Sequence, residues 1–227
     1  MAGRKPDDGG QVGFDHSIAA SEGGYEIGVL GNAFLSAAGN SNEPGIVYVM
    51  QDTNGNGLPD DTWYELKGSA TFDTTTDRDY AVTYRRPDAP GKPVDWSDNR
   101  GGSGQVPYMA LFHTQDYYYP AWIKDDTYTL RGTRLEARTE QLPSGNWSNN
   151  PFGWGYADNM GDDVTEFDGV TDCNRFRISD AIDTDGNPVS LKYIDFVKVQ
   201  TGVLSFAGSL GEVSTEVFGI IDLTLKR

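Results

Sequence analysis

The sequence has very few of the residues on which several classes of protein depend. Cys173 is the only cysteine in 227 residues, so no disulfide can form within the chain. His16 and His113 are the only histidines, which excludes a zinc site built from several imidazoles. Lysine and arginine number 18 against 34 aspartates and glutamates, and the net charge of −16 argues against a nucleic-acid-binding surface.

Long apolar runs are missing as well. No stretch approaches the ~18 consecutive apolar residues that indicate a membrane-spanning helix, so we expect no transmembrane segment. Residues 1–10 are polar and lack the apolar region of a signal peptide. We expect residues 1–10 to be a disordered N-terminal segment or a remnant of expression, and residues 11–227 to form a single β-sandwich domain.

Alternation of apolar and polar residues is frequent, whereas helical periodicity is almost absent. The alternating segments are residues 78–86, 173–179, 189–203 and 212–227. Residues 45–50, GIVYVM, form an unbroken apolar run, which is typical of a strand buried on both faces. Asn-Gly and Asp-Gly pairs, which indicate turns, lie at residues 54–55, 56–57, 168–169 and 185–186.

These patterns together predict an all-β fold. We expect an antiparallel β-sandwich of jelly-roll type with long loops, because short strands broken by frequent turns favour that architecture. Residues 85–107 are the longest segment without a strand pattern. Since structureless loops of that length are often functional, we expect ligand chemistry on the loops at the ends of the sandwich.

The segment DTNGNGLPDD, residues 52–61, has oxygen-bearing side chains at the spacing of a calcium loop. Its candidate metal ligands are Asp52, Asn54, Asn56, the Leu58 carbonyl, Asp60 and Asp61. Trp63 occupies the position of the closing glutamate, so Glu65 or another loop must complete the site. We therefore predict calcium as a cofactor. The alternative is an Asx-rich hairpin whose side chains bind their own backbone, which is the favoured interpretation for residues 183–187.

Aromatic residues, 12% of the chain, are concentrated in segments rich in glycine, asparagine and aspartate. Exposed rings flanked by amides can stack against sugars or other flat ligands. The candidate ligand-binding residues are Trp96, Arg100, Tyr118, Trp122, Trp147, Trp154 and Tyr156. The alternative for each ring is that it anchors its own loop to the core, and both interpretations are open at this point.

Catalytic signatures are few. No G-x-S-x-G nucleophile elbow accompanies His113, so a hydrolytic triad is disfavoured. Adjacent carboxylates at residues 60–61, 125–126 and 162–163 are compatible with a glycoside hydrolase, although paired acids in loops are more often only solvated. The sequence leaves enzymatic activity open and favours a protein without it.

Several phrases, which together cover most of the chain, resemble one family of bacterial proteins. They are VGFDHSIAASEGGYEIGVLGNAF (12–34), EPGIVYVMQDTNGNGLPDDTWYELKGS (43–69), DWSDNRGGSG (95–104), WGYADN (154–159) and, within residues 193–223, YIDFVKVQTGV and GEVSTEVFGIIDL. The family comprises cell-surface proteins and lipoproteins, many from gut anaerobes. The phrases are also similar to surface proteins that we associate with galactose-binding-like jelly rolls.

The resemblance implies a β-sandwich that is secreted or lies on the cell surface, with a lipid anchor or signal peptide upstream of residue 1 left open. It implies a binding role and supplies no catalytic residues, while Asp52, Asn54, Asn56 and Asp60 match its pattern as metal candidates. The implied ligand is a glycan or another small nutrient, and cobamide uptake is a further possibility. Outer-membrane uptake proteins are the implied partners.

Our expectation is therefore a non-catalytic surface module that binds a glycan or small nutrient and contains a calcium-stabilised loop. The alternatives are a glycan-acting hydrolase or lyase that uses loop carboxylates, and a structural or adhesive surface protein without a small ligand.

Overall fold

The computed structural model describes residues 10–111, 113–166, 172–208 and 211–225. The strands are β1 Gly10–Ala19, β2 Ile27–Leu30, β3 Gly45–Met50, β4 Trp63–Leu66, β5 Asp77–Arg85, β6 Val94–Asp98, β7 Ser103–Val106, β8 Thr127–Arg134, β9 Thr139–Gln141, β10 Trp147–Asn149, β11 Val164–Glu166, β12 Asp172–Phe176, β13 Ala181–Ile182, β14 Tyr193–Thr201 and β15 Gly219–Asp222. A turn of 3₁₀ helix, Ile178–Asp180, precedes β13. The predicted all-β fold is confirmed.

The strands pair in antiparallel sheets. The central sheet has five strands in the order β1-β14-β3-β4-β13, and the β2 sheet has four in the order β11-β12-β2-β15. The β5 sheet has the order β7-β6-β5-β8, and β9 and β10 form a separate hairpin. No helix among the described residues is long and apolar enough to cross a membrane.

The central sheet and the β2 sheet share one hydrophobic core. Val47 and Val49 of β3 and Val197 of β14 lie in one cluster with Ile27 and Val29 of β2, and all five side chains are buried. Strand β3 is buried along its whole length, as its apolar run predicts. This core fixes the ends of β2 and β3, from which the loops of the candidate site extend.

A second core covers the opposite face of the central sheet. Ile46 and Tyr48 alternate along β3 with the valines of the first core and therefore project to the other side. They cluster with Phe152, Tyr156 and Val213, which come from loops rather than from strands. The long loops are thus part of the folded interior.

The interpretation of residues 85–107 as a strand-free loop is wrong. Strands β6 and β7 lie within it and pair with each other, with Val94 opposite Val106 and Trp96 opposite Gly104. Each strand has only four or five residues, and glycine, serine and aspartate supply most of them. Strand β6 pairs with β5 on one side and with β7 on the other, and these backbone pairings define both short strands. Neither strand has an apolar pattern by which its sequence would reveal it.

The C-terminal alternation predicted a longer strand than the structure contains. Only Gly219–Asp222 pairs as β15, and the N–H groups of the residues before it bind side chains instead. Ser214 donates to Glu43, Thr215 donates to the Thr201 hydroxyl and Glu216 donates to Asp158. These bonds take the place of a strand partner, and two of the three acceptors, Glu43 and Asp158, belong to the candidate site described below.

The turn predictions are confirmed where the structure describes them. At residues 183–187 the Asp183 carboxylate accepts the N–H groups of Asp185 and Asn187, and an antiparallel bridge between Ile182 and Pro188 closes the hairpin. The predicted turn at residues 168–169 lies outside the described residues. So do residues 1–9 of the N-terminal segment, while Gly10 begins β1.

Candidate functional site

Three carboxylates from distant parts of the chain converge at one point of the structure. Glu43 precedes β3, Asp158 lies between β10 and β11, and Glu216 lies shortly before β15. One oxygen from each carboxylate lies within 4.8 Å of the other two. Among the described residues, this is the group of His, Cys, Asp or Glu side chains close enough together to share a metal ion. We call Glu43, Asp158 and Glu216 the acidic trio.

Asp158 is held in place by the backbone around it. Its Oδ1 accepts the N–H groups of Asn32 and Ala33, both at 2.9 Å, and its Oδ2 accepts the N–H of Glu216 at 3.0 Å. Its φ of 53° lies in the left-handed region, which aspartate tolerates better than most residues. A Cβ on Gly31 would lie 2.6 Å from Oδ1, so glycine leaves room for the carboxylate. Asp158 therefore joins the loop after β2 to the segment before β15.

Burial and the negative charge of neighbouring carboxylates destabilise the charged forms of Glu43 and Asp158. Burial, a hydrogen bond with Glu216 and the negative charges of Glu216 and Asp158 raise the pKa of Glu43 to about 8. Burial also raises the pKa of Asp158, against the opposing effect of its N–H donors. In the described part of the chain, no lysine, arginine or histidine forms an ion pair with the trio. A proton or a bound cation can relieve this repulsion.

The oxygens of the acidic trio suit a hard divalent cation. Asp158 Oδ1 already accepts two N–H groups, whereas Oδ2 accepts one and keeps a lone pair. Glu43 Oε1 accepts the Ser214 N–H at 3.2 Å. Glu43 and Glu216 are thus the main candidate ligands, with Asp158 Oδ2 as the third. Calcium binds ~6–8 oxygens, so carbonyl, water or ligand oxygens would complete its coordination.

A cleft of about 450 Å³ lies beside the acidic trio. The residues that define it are Phe34, Asn40, Asn146, Trp147, Asn149 and Glu43. We call it the amide cleft. Phe34 exposes 52% of its surface, and Trp147 is half-buried against Gly208. Amides and carboxylates provide both donors and acceptors, and aromatic rings provide flat apolar faces, a combination that suits a sugar.

Two turns position the walls of the amide cleft. An antiparallel bridge between Phe34 and Ser41 closes one loop. Asn146, in the β9–β10 hairpin turn, donates a hydrogen bond from its amide to the Ala38 carbonyl at 2.9 Å. This bond links the hairpin to the Phe34 loop, so the two walls are held at a fixed separation.

The predicted calcium loop, residues 52–61, folds around its own backbone. Asp52 accepts the N–H groups of Gly55 at 2.6 Å and Gly57 at 2.7 Å. Both glycines have φ of 71°, a conformation that other residues resist. The Asp52 N–H donates to Asp195 at 2.7 Å, which ties the start of the loop to β14.

The remaining polar groups of the loop also bind one another. The amides of Asn54 and Asn56 donate to Asp60 at 3.2 and 2.9 Å, and the Thr53 hydroxyl donates to Asp61. These contacts are the ones that the hairpin alternative predicts. Calcium binding in this loop stays a prediction for Asp52, Asn54, Asn56, Leu58, Asp60 and Asp61.

Glu65 points away from the predicted calcium loop. It is buried on β4, where its Oε2 accepts the Thr133 hydroxyl at 2.5 Å, and burial raises its pKa. Its carboxylate therefore lies in the interior between β4 and β8 and does not complete the loop.

The predicted ligand-binding aromatics lie in several regions. Trp147 lines the amide cleft, and Trp154 borders a separate pocket. Tyr156 is 1% exposed and packs on Phe152, and its hydroxyl accepts the Ala70 N–H at 3.0 Å. The Tyr156 ring therefore belongs to the core, as the anchoring alternative describes.

Trp96 lies on β6 of the β5 sheet, and Arg100 lies in the turn between β6 and β7. Neither residue belongs to the acidic trio or to the lining of the amide cleft. Trp96 is half-buried on β6 and covers Gly104 of β7. The Arg100 guanidinium donates two hydrogen bonds of 2.7 Å to the Asp77 carboxylate. This bidentate contact already uses the Nε and Nη2 donors of Arg100.

Tyr118 and Trp122 lie in the connection between β7 and β8. The Tyr118 ring stacks on Tyr108 with centroids 5.0 Å apart, and its hydroxyl accepts the Met109 N–H at 2.8 Å. Trp122 exposes 41% of its surface. The structure places neither ring among the residues of the amide cleft.

The sequence interpretation missed the acidic trio as a group. Glu43, Asp158 and Glu216 lie in the phrases EPGIV, WGYADN and GEVSTEV, but the three acids follow no ligand spacing along the chain. The only available signal was a carboxylate next to apolar residues in each phrase. No protein-family model matches the chain, and no curated protein matches it.

Proposed function

We propose that the protein is a non-catalytic surface module that binds a glycan or another small polar nutrient in the amide cleft and calcium at the acidic trio. The position of Glu43 carries the proposal, because this carboxylate belongs to both the trio and the wall of the cleft. A cation at the trio would remove the repulsion between its carboxylates and fix Glu43 at the edge of the cleft.

We also propose that the antiparallel sheets form a sandwich of jelly-roll type. The core shared by the central sheet and the β2 sheet supports it, as does the antiparallel pairing within both sheets. In that architecture the loops at one end carry the ligand chemistry. The resemblance to bacterial surface proteins supports a secreted or cell-surface location, with a lipid anchor and outer-membrane uptake proteins as parts of the same proposal.

The two carboxylates that line the amide cleft each contact another group of the protein. Glu43 accepts the Ser214 N–H, and Glu212, which also lines the cleft, is paired with His113 at 3.2 Å. Both groups thus have structural partners. The asparagine amides beside them can donate to and accept from sugar hydroxyls, and the exposed Phe34 ring can pack against a pyranose face.

The test is a glycan array followed by titration calorimetry in calcium buffer, with Phe34→Ala as the variant. We expect saturable binding of at least one glycan, weakened about ten-fold or more by Phe34→Ala, because loss of a stacked ring corresponds to about 1.4 kcal/mol or more. Trp122→Ala is the matched control, since it removes another exposed ring outside the cleft.

The proposal fails if the array shows no ligand, or if Trp122→Ala weakens binding as much as Phe34→Ala does. Turnover of a glycan during the titration would show that the protein is an enzyme and not a binding module.

A further inference from the structure

A second pocket, of about 200 Å³, opens beside β12 of the β2 sheet. The residues that bear on its chemistry are Trp154, Arg175, Arg177, Asp162 and Asp163, together with Lys67 and Asp180, which form an ion pair at 3.5 Å. We call it the Trp154 pocket. It shares no lining residue with the amide cleft. Its volume is below the ~300–1,000 Å³ of pockets for drug-sized ligands, so a ligand there must be small.

Two guanidinium groups enclose one aromatic ring at this pocket. Arg175 and Arg177 are two positions apart in extended chain, so their side chains project from the same face. Their guanidinium carbons lie 4.4 and 4.2 Å from the centre of the Tyr25 ring, which also lines the pocket. The ring keeps both guanidinium groups in fixed positions.

Neither arginine forms an ion pair with a carboxylate in the described part of the chain, although acids outnumber bases by 34 to 18. The charge of Arg175 does act on the Asp163 carboxylate, where it opposes the rise in pKa that burial causes. Arg175 Nε donates to the Asp163 carbonyl at 3.1 Å, and Arg177 Nε is buried without a hydrogen-bond partner among the described residues. Both residues remain partly exposed, so an external anion would reach the guanidinium groups through nitrogens other than the buried Arg177 Nε and the bonded Arg175 Nε.

Acceptors and an apolar surface lie beside the arginines. Asp162 is exposed, and the 2%-exposed Asp163 accepts the Gly155 N–H at 3.2 Å through Oδ2, while Oδ1 has no partner in the described structure. Trp154 exposes 37% of its surface. Carboxylates accept hydrogen bonds from hydroxyl groups, and an indole packs against the C–H face of a sugar ring.

We infer that the Trp154 pocket binds a small hydroxylated carboxylate of the uronic acid class. Its carboxylate is bound by Arg175 and Arg177, its hydroxyls donate to Asp162, and its ring packs on Trp154. A neutral sugar leaves the two guanidinium groups without an anion, and a simple anion leaves Asp162 and the indole unused. This site is separate from the amide cleft and does not depend on the proposed function.

The test is titration calorimetry of the full chain with D-glucuronate, D-glucose and acetate at low ionic strength. Glucose lacks the carboxylate and acetate lacks the hydroxylated ring. We expect glucuronate to bind about ten-fold or more tightly than either, because only it engages the arginines, Asp162 and the indole together. Absence of glucuronate binding, or equal binding of glucose or acetate, overturns the inference.

Variants then locate the site. Arg175→Lys and Arg177→Lys keep the charge and remove the planar fork, so each should weaken glucuronate binding about ten-fold. Arg131→Lys, on the exposed surface of β8, is the matched control and should leave it unchanged. Trp154→Ala provides a test that spares the Tyr25 contacts, in case the arginine variants fail to fold.

Glucuronate binding that survives Trp154→Ala and both arginine variants also overturns the inference. Phe34→Ala separates the two sites, because it should weaken glycan binding in the amide cleft and leave glucuronate binding intact. Failure of the cleft proposal and failure of the pocket inference therefore give different results.

Discussion

Two acidic regions of this molecule differ in what surrounds their oxygens. In the loop at residues 52–61, the carboxylates and amides accept from N–H and hydroxyl groups within the same ten residues. In the acidic trio, Glu43, Asp158 and Glu216 come from three segments and face one another, and the described chain supplies no cationic side chain to them. The oxygens of the loop have hydrogen-bond donors within the loop, whereas the carboxylates of the trio repel one another unless a proton or a cation lies between them.

The difference shows that the number of oxygens does not by itself identify a calcium site. The loop has the spacing of a calcium-binding motif, yet most of its oxygens have N–H or O–H partners close in sequence. The acidic trio has no motif, yet its oxygens are brought together by the fold.

Replacement of Asp158 should have the largest effect. In chelator, we expect Asp158→Ala to lower the free energy of unfolding by about 3 kcal/mol or more, because three backbone N–H groups lose a buried acceptor. Alanine also tolerates the φ of 53° less well than aspartate. Urea unfolding measures the change, and Asp60→Ala in the exposed loop is the control. A loss as small as that of Asp60→Ala would show that Asp158 does not hold the site together.

The pH dependence of stability should identify Glu43. Its pKa is raised to about 8 in the folded chain from an ordinary value of 4.5, so between these values the folded state binds more protons than the unfolded state. The free energy of unfolding therefore falls as pH rises through this window in calcium-free buffer. Buried Asp163, with its pKa raised to about 6, contributes in the same direction at lower pH.

The Glu43→Gln variant isolates the contribution of Glu43. Urea unfolding between about pH 5 and about pH 8 should show a flatter decline for this variant than for the unmutated chain. Asp52→Asn, in the loop, should keep the original slope. Identical slopes for the Glu43→Gln variant and the unmutated chain would refute the raised pKa of Glu43.

The loop should respond least. We expect Asp52→Ala to lower the free energy of unfolding by about 1 kcal/mol, because Gly55 and Gly57 lose an acceptor but remain exposed to water. The loss should be equal in calcium and in chelator. A loss confined to calcium buffer would mean that the loop binds the metal.

The sequence is sufficient to predict those strands that are stabilised by burial of their own side chains. The apolar run of β3 and the alternation of β14 are visible without partners, because burial of their side chains stabilises the strands. The strands β6 and β7 were missed because cross-strand hydrogen bonds define them. The segment before β15 has the alternation of a strand, but Ser214 and Glu216 donate their N–H groups to Glu43 and Asp158 of the acidic trio, and such contacts depend on the tertiary fold.

The candidate site was less predictable than the fold. Local spacing reveals an Asx-rich loop, since its contacts lie within a few residues, but Asp158 and Glu216 are 58 positions apart. The exposure of single aromatics was equally hidden: Trp147 and Trp154 border cavities, whereas Tyr156, in the same Gly-rich and Asn-rich segment, is part of the core. Which ring faces solvent depends on the packing of neighbouring loops, and composition does not contain that information.

Thermal unfolding of the unmutated chain, Glu216→Gln and Asp52→Ala, with calcium and with chelator, distinguishes the acidic trio from the loop at residues 52–61 as the calcium site. At a calcium concentration about a hundred times the Kd, we expect the unmutated chain to gain about 2.7 kcal/mol of unfolding free energy. Asp52→Ala should keep this gain, and Glu216→Gln should lose it. No gain in the unmutated chain, or a gain kept by Glu216→Gln and lost by Asp52→Ala, would contradict calcium binding at the acidic trio.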